Sequence, residues 1–306
     1  MSRYPQTMLA TCCVPWHEDS RVDEEIFRAS IRTLIEQGLE DLYVFGTAGE
    51  GYAVNERQFD DVVRIFVDEL RGDGLPPMVG VISLSLSTVI ERIERSAELG
   101  VELFQISLPS WGELGDRELA TFFAETCGRF PGLRFLHYNL PRARRVVTPG
   151  EYAELAARHA NLIGTKNAGA TPAILAELLA QAGELRHFVT EPGYAHGSLV
   201  GPCGFLLSYS SLNPELAREY FQAGVRKDAG TLTALGLELA GILSALAGAF
   251  GGPRIDGAYD KIFNRAHDAR FPLRLLPPYE GASEAEYERF VAAVRELYPR
   301  WLPVSA

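Results

Sequence analysis

Lysine is scarce in this chain. Only Lys166, Lys227 and Lys261 stand among 29 lysine and arginine residues. Basic residues as a whole fall short of the acidic ones, 29 against 40, which gives a formal net charge of −11. A nucleic-acid binder needs a basic face that releases phosphate counterions, so that class is disfavoured. Cysteine is sparse too: Cys12, Cys13, Cys127 and Cys203 have neither paired nor metal-type spacing, as expected of reduced thiols in a cytoplasmic protein. The six histidines, His17, His137, His159, His187, His196 and His267, show no metal-ligand spacing either. The first twenty residues lack a long apolar core and a small-residue cleavage site, so no signal peptide is read there. The most apolar stretch, Leu235 to Gly252, carries Glu238 and Gly236, Gly241, Gly248, Gly251 and Gly252. It reads as a buried helix rather than a membrane span. The expectation is a soluble cytoplasmic protein with neither nucleic acid nor membrane as partner.

What is present is the balance of a globular protein, 47% hydrophobic and 23% charged over 306 residues. Short apolar runs lie at Met8–Val14, Leu42–Phe45, Met78–Ile82, Leu103–Ile106, Leu133–Leu136, Leu162–Gly164, His187–Val189 and Phe205–Leu207. Each precedes a segment of helical periodicity, and most of these open on a cap. Asn55 to Gln58, Thr88 to Glu91 and Thr148 to Glu151 read as capping boxes, and Thr171-Pro172 and Asn213-Pro214 as cap-then-proline starts. Gly38, Gly100 and Gly183 mark helix exits. Eight strand–helix units of roughly 30 residues each predict an α/β fold, the closed parallel (β/α)8 TIM barrel. A doubly wound sheet would place a glycine-rich phosphate loop after its first strand, where this chain has Pro15-Trp16-His17. The barrel is expected over residues 1–225. Residues 226–306 read as a C-terminal extension of three helices, Asp228–Phe250, Asp256–Ala269 and Ser283–Leu297, the last opened by the capping box Ser283 to Glu286, packed against the outside of the barrel or against a neighbouring subunit.

A barrel places its active site where the strands end and the following loops begin. That rule selects Gly46-Thr47-Ala48-Gly49-Glu50, Pro109-Ser110-Trp111, Tyr138-Asn139 and Lys166-Asn167, with Glu191 and Ser208 from the last two loops. Because the chain writes positive charge almost wholly as arginine, Lys166 at the end of an apolar strand is conspicuous. Arginine cannot deprotonate, whereas a desolvated lysine can lose its proton and attack a carbonyl. A lysine reaching out of the barrel mouth, or paired with Glu50 or Glu191, fits the same position. Lys227 and Lys261 read as ordinary surface charges. Tyr138 can relay protons to a substrate carbonyl or stand as a rim tyrosine in water. The turn Gly46-Thr47-Ala48 can offer backbone N–H groups and a hydroxyl to an anion, or serve loop geometry alone. Arg142, Arg144 and Arg145 form a basic run that can bind a carboxylate or remain a solvated charge run.

Taken together these loops resemble the dihydrodipicolinate synthase/N-acetylneuraminate lyase family of class I, pyruvate-handling aldolases. The resemblance is carried by Gly46-Thr47-Ala48-Gly49-Glu50, by Tyr138-Asn139-Leu140-Pro141 and by Gly164-Thr165-Lys166-Asn167-Ala168-Gly169, in register over roughly residues 8–225. It implies a Schiff base between Lys166 and the keto carbon of pyruvate or a related 2-oxo acid. Tyr138 would shuttle protons, and the turn at Gly46, Thr47 and Ala48 would cradle the carboxylate. The enamine would then add to an aldehyde, or form as a carbon–carbon bond breaks, with no cofactor beyond the lysine imine. Homodimers or homotetramers are implied as well. The chain departs from the pattern in three places. Ala48 stands where a relay threonine is usual, and Pro109-Ser110-Trp111 where the synthases carry a second tyrosine. Ala143 takes the place of the synthases' dicarboxylate-binding arginine, with Arg142 and Arg144 beside it. These departures argue against a true lysine-pathway synthase. Trp111 is expected to shape a pocket for a second substrate with an apolar or aromatic part, and Arg142 and Ser208 to bind substrate. A dehydratase or hydratase using the same imine, and a silent 2-oxo-acid-binding barrel, are the competing expectations.

Overall fold

The computed structural model describes residues 2–167 and 169–303. Eight strands form one closed parallel barrel in sequence order, with β1 paired to both β2 and β8. They are β1 (Met8–Cys12), β2 (Asp41–Val44), β3 (Met78–Gly80), β4 (Leu103–Ile106), β5 (Arg134–Asn139), β6 (Leu162–Asn167), β7 (Arg186–Val189) and β8 (Gly204–Leu206). The intervening helices are α1 (Glu24–Glu36), α2 (Glu56–Gly72), α3 (Leu86–Glu98), α4 (Asp116–Phe123), α5 (Pro149–Arg158), α6 (Pro172–Gln181), α7 (Glu191–Val200) and α8 (Pro214–Arg226). Strands of a barrel are covered on both faces, which is why they read as continuous apolar runs rather than as alternation. One side chain from every strand, Leu9, Tyr43, Met78, Leu103, Leu136, Ile163, Phe188 and Leu206, joins Tyr4 in a single buried cluster. The cluster plugs the barrel beneath the site, so the centre is packed core and not a pore.

The capping boxes at Asn55/Gln58, Thr148/Glu151 and Ser283/Glu286 form as the sequence predicts, each worth about 1 kcal/mol of helix stability. The fourth predicted box, Thr88 to Glu91, does not. Ser85 caps α3 by accepting from Thr88 N, one turn earlier than the Thr88 start the sequence suggests. Gly38 and Gly100 take the left-handed exit, whereas Gly183 is needed for space: a Cβ there would lie 2.6 Å from the Leu179 carbonyl oxygen.

Three helices follow the barrel, α9 (Ala229–Ala249), α10 (Asp256–His267) and α11 (Glu284–Leu297). By length and composition α9 would suffice to cross a membrane. Here it packs on α7, α8 and α11 through Leu232, Leu235, Leu239, Ile242 and Leu246, while Leu237 stays 69% exposed. The expected burial therefore holds for one face only. α10 does not lie on the barrel's outside. Its first turn reaches the strand ends, where Gly257 allows close approach: a Cβ there would sit 3.2 Å from the Ala48 carbonyl oxygen.

Candidate active site

β5 and β6 run past their apolar cores into polar residues, because these residues find buried partners. Asn139 Nδ2 donates to the Val147 carbonyl at 2.9 Å, and Asn139 Oδ1 accepts from Val147 N at 2.9 Å. A register shift between Phe135 and Leu136 then sets Tyr138 opposite Lys166 on the neighbouring strand. Residues in register on adjacent parallel strands point to the same face, so phenol and amine meet. Lys166 Nζ lies 4.0 Å from the centre of the Tyr138 ring and 4.5 Å from that of Tyr43. It donates to the Tyr43 hydroxyl at 2.7 Å. Gly46 is required here: a Cβ would come within 2.6 Å of the Tyr43 ring and 3.4 Å of Lys166 Nζ.

Lys166 is only 4% exposed. It neither reaches out of the mouth nor pairs with the carboxylates the sequence offered. Glu50 is taken by Lys261 Nζ at 2.6 Å, by Trp16 Nε1 at 2.8 Å and by Leu276 N at 2.6 Å. Glu191 Oε1 accepts from Ser208 N at 2.8 Å, Ser210 N at 3.0 Å and Ser210 Oγ at 2.7 Å, tying together the loops after β7 and β8. Lys261, expected on the surface, is fully buried in that ion pair, which anchors α10 to the turn after β2. Burial lowers the Lys166 pKa to about 8, against the opposing pull of Asp256 and Asp260. The Tyr138 phenol is pushed up to about 12, chiefly by burial and then by Asp256, with the Thr47 hydroxyl and Arg142 opposing.

Lys166, Tyr43, Tyr138, Thr47, Ala48, Ser208, Glu191, Asp256 and Asp260 line one cavity of about 300 Å³. Arg142 reaches it from the side, contacting Thr47 Oγ1 at 3.5 Å and holding Asp256 through both guanidinium nitrogens at 3.0 and 3.3 Å. Arg144 and Arg145 instead bind the carbonyls of Ser110 and Leu114. A second cavity of about 300 Å³ shares Thr47 and Arg142 and is lined by Ile82, Leu84, Leu108, Leu140 and Tyr52. Trp111 lines neither cavity. It is 83% exposed, because its loop turns outward before α4. Ala168 of the lysine motif lies outside the described residues. Of the nine residues named around the amine, three are not selected by the loop rule. Tyr43 sits within an apolar strand and reads as core, and Asp256 and Asp260 fall in a helix assigned to the outside.

A parallel barrel with a buried lysine at the end of its sixth strand defines the class of protein. The family follows from the sequence itself. The model of the dihydrodipicolinate synthetase family matches residues 5–221, and the chain belongs to that family. A 4-hydroxy-tetrahydrodipicolinate synthase of Nitratidesulfovibrio vulgaris is 25% identical over 239 residues, covering 77% of this chain and 81% of that protein. Among solved structures, YagE of Escherichia coli K12, a family member crystallised with pyruvate, superposes with a TM-score of 0.86 at 17% identity, covering 95% of this chain and 98% of that one. CdNal of Clostridium difficile, in complex with mannosamine, gives 0.83 at 16% identity over 95% and 98%. These likenesses to solved structures concern the fold.

Proposed function

We propose that the protein is a class I aldolase or lyase that forms a Schiff base between Lys166 and the keto carbon of pyruvate or a related 2-oxo acid. The observation that carries this reading is the amine itself, buried between two phenol rings with a pKa of about 8 in a cavity of about 300 Å³. At neutral pH an ordinary lysine is almost entirely ammonium, whereas this one keeps a usable fraction as the neutral nucleophile. Gly46, Thr47 and Ala48 receive the substrate carboxylate, with Arg142 at the edge of the turn. Tyr138 keeps its proton at neutral pH and donates to the keto oxygen, polarising the carbonyl. The protonated imine then withdraws electrons from the adjacent carbon, so the reading invokes no metal or organic cofactor.

The second substrate enters the side cavity beyond Thr47 and Arg142. Its lining by Ile82, Leu84, Leu108 and Leu140 suits an aldehyde with an apolar arm. With Ala143 and not arginine after Tyr138, a dicarboxylate partner is disfavoured, and the reading is of an activity other than lysine-pathway synthesis. The buried free thiols suit the cytoplasm, and exposed Leu237 on α9 suits a homodimer or homotetramer. Borohydride reduction in the presence of pyruvate, followed by intact mass and peptide mapping, tests the mechanism. A reduced adduct on Lys166 is expected, and its absence with every small 2-oxo acid overturns the reading. Release or consumption of a free aldehyde separates an aldolase from a dehydratase using the same imine.

A further inference from the structure

Three carboxylates line the cavity around Lys166, and two of them are engaged. Asp256 is clamped by Arg142, and Glu191 is held through Oε1 by the loop after β8, while its buried Oε2 has no partner among the described residues. Asp260 is the third, 8% exposed, and among the described residues it forms no ion pair. The geometry of α10 explains how it comes to be there. Gly257 and Lys261, four residues apart, form the stripe that docks on the turn after β2, through the Ala48 carbonyl and Glu50. Asp256 and Asp260, also four residues apart, form the neighbouring stripe, which the docking turns into the cavity that holds the amine.

We propose that Asp260 is a catalytic acid–base of this site, supplying the proton traffic for which Ala48 has no hydroxyl. The proposal rests on the Schiff-base reading above. Once neutral Lys166 has added to the keto carbon, the nitrogen lone pair of the carbinolamine forms the C=N bond and the C–O bond breaks. The departing hydroxyl takes the Asp260 proton and leaves as water, so the site holds a protonated imine and an Asp260 carboxylate. That carboxylate accepts a proton from the substrate carbon next to the imine. The C–H electron pair forms the C=C bond, the C=N π pair returns to nitrogen, and a neutral enamine and a protonated Asp260 result. Charge and atoms balance without a further reagent.

The electrostatics suit the role. Burial, then Asp256, raises the Asp260 carboxyl to about 8, while Lys166 and the Ser208 hydroxyl oppose and Glu191 adds to the rise. An acid–base works best with its pKa near the working pH. The Tyr43 and Tyr138 phenols hold their protons too firmly to act as bases at neutral pH. A protonated Asp260 also presents no negative charge to an incoming 2-oxo-acid carboxylate.

Exchange of the pyruvate methyl protons in heavy water, followed by NMR, reads enamine formation directly. Asp260→Asn is expected to slow exchange on the order of 10²–10⁴-fold, while borohydride still traps pyruvate on Lys166 after long incubation. Exchange at the wild-type rate overturns the proposal. If the asparagine variant does not fold, Asp260→Ala with added formate decides: restored exchange supports the role, and a folded, slow variant that formate does not restore overturns it. Failure of the underlying reading looks different, because the wild-type protein would then form no adduct at all. A wild-type adduct with undiminished exchange in the Asp260 variants removes Asp260 alone.

Discussion

Two lysines are buried in this protein, and their surroundings treat them in opposite ways. Lys261 is wholly buried against Glu50, whose other contacts are Trp16 Nε1 and Leu276 N, and it also donates to the Arg274 carbonyl at 2.5 Å. Lys166 is almost as buried, yet its hydrogen-bond partner is a phenol and its near neighbours are aromatic faces. Burial lowers the Lys261 pKa as well, but the contacting Glu50 carboxylate opposes that fall and makes the pair a structural tie. A phenol and two rings leave the amine room to give up its proton. Burial alone therefore does not make a lysine reactive, and what stands beside it does.

The comparison breaks most sharply on Lys166→Met. Turnover is expected to fall by on the order of 10⁴-fold or more, with no loss of stability, since a desolvated amine is replaced by an apolar chain of similar length. In the wild-type protein, adduct formation should rise as pH approaches about 8, as the ammonium gives way to the amine, and fall above it, as Asp260 loses the proton it gives to the departing hydroxyl. Stability carries the same signature. The Lys166 pKa lies near 8 in the folded chain against an ordinary 10.5. Between those values the unfolded chain binds the extra proton, so folding strengthens as pH rises across that window. Urea midpoints at the two ends should show the rise for wild type and a smaller one for Lys166→Met.

Lys261→Met should do the reverse. It leaves Glu50 charged and unpaired in the core, a loss of about 3–5 kcal/mol that urea denaturation will register. If both lysine variants destabilise equally, the contrast drawn above is wrong. Tyr43→Phe is a smaller change, since it removes the single 2.7 Å hydrogen bond to Lys166. About 0.5–1.5 kcal/mol is at stake, read as up to roughly tenfold in the rate of borohydride trapping, with the fold intact.

How much of this was legible beforehand differs between the barrel and the helix α10 docked at its strand ends. The strands announced themselves because each is a short apolar run, and the loop rule located Lys166, Tyr138 and Thr47 without coordinates. Tyr43 was hidden because an inward tyrosine in Asp-Leu-Tyr-Val looks like core. Its place as one of eight inward residues in a layer was the signal to follow. Lys261 was misread because Asp260 and Asn264 make its local sequence polar, whereas its partner Glu50 belongs to a turn far back along the chain. Asp256 and Asp260 suffered likewise: acidic residues four apart on a helix are ordinarily a solvated face. Only the docking of Gly257 on the Ala48 carbonyl turns that face inward.

Trp111 supplies the smallest expected effect, and it sharpens the comparison from the outside. Its position after the fourth strand suggested a wall of the substrate pocket, but its ring stands 83% exposed and borders neither cavity. An exposed side chain away from caps, ion pairs and the core contributes within about 0.5 kcal/mol to stability. Trp111→Ala should therefore leave the urea midpoint, the pyruvate adduct and the methyl exchange rate where they are. Leu108→Ala, on the same loop but lining the side cavity, should instead raise the KM for an apolar aldehyde while pyruvate exchange stays unchanged. A loss of pyruvate chemistry in Trp111→Ala would mean that this loop folds inward over the amine during the reaction. The wall of the pocket would then have to be redrawn to include it.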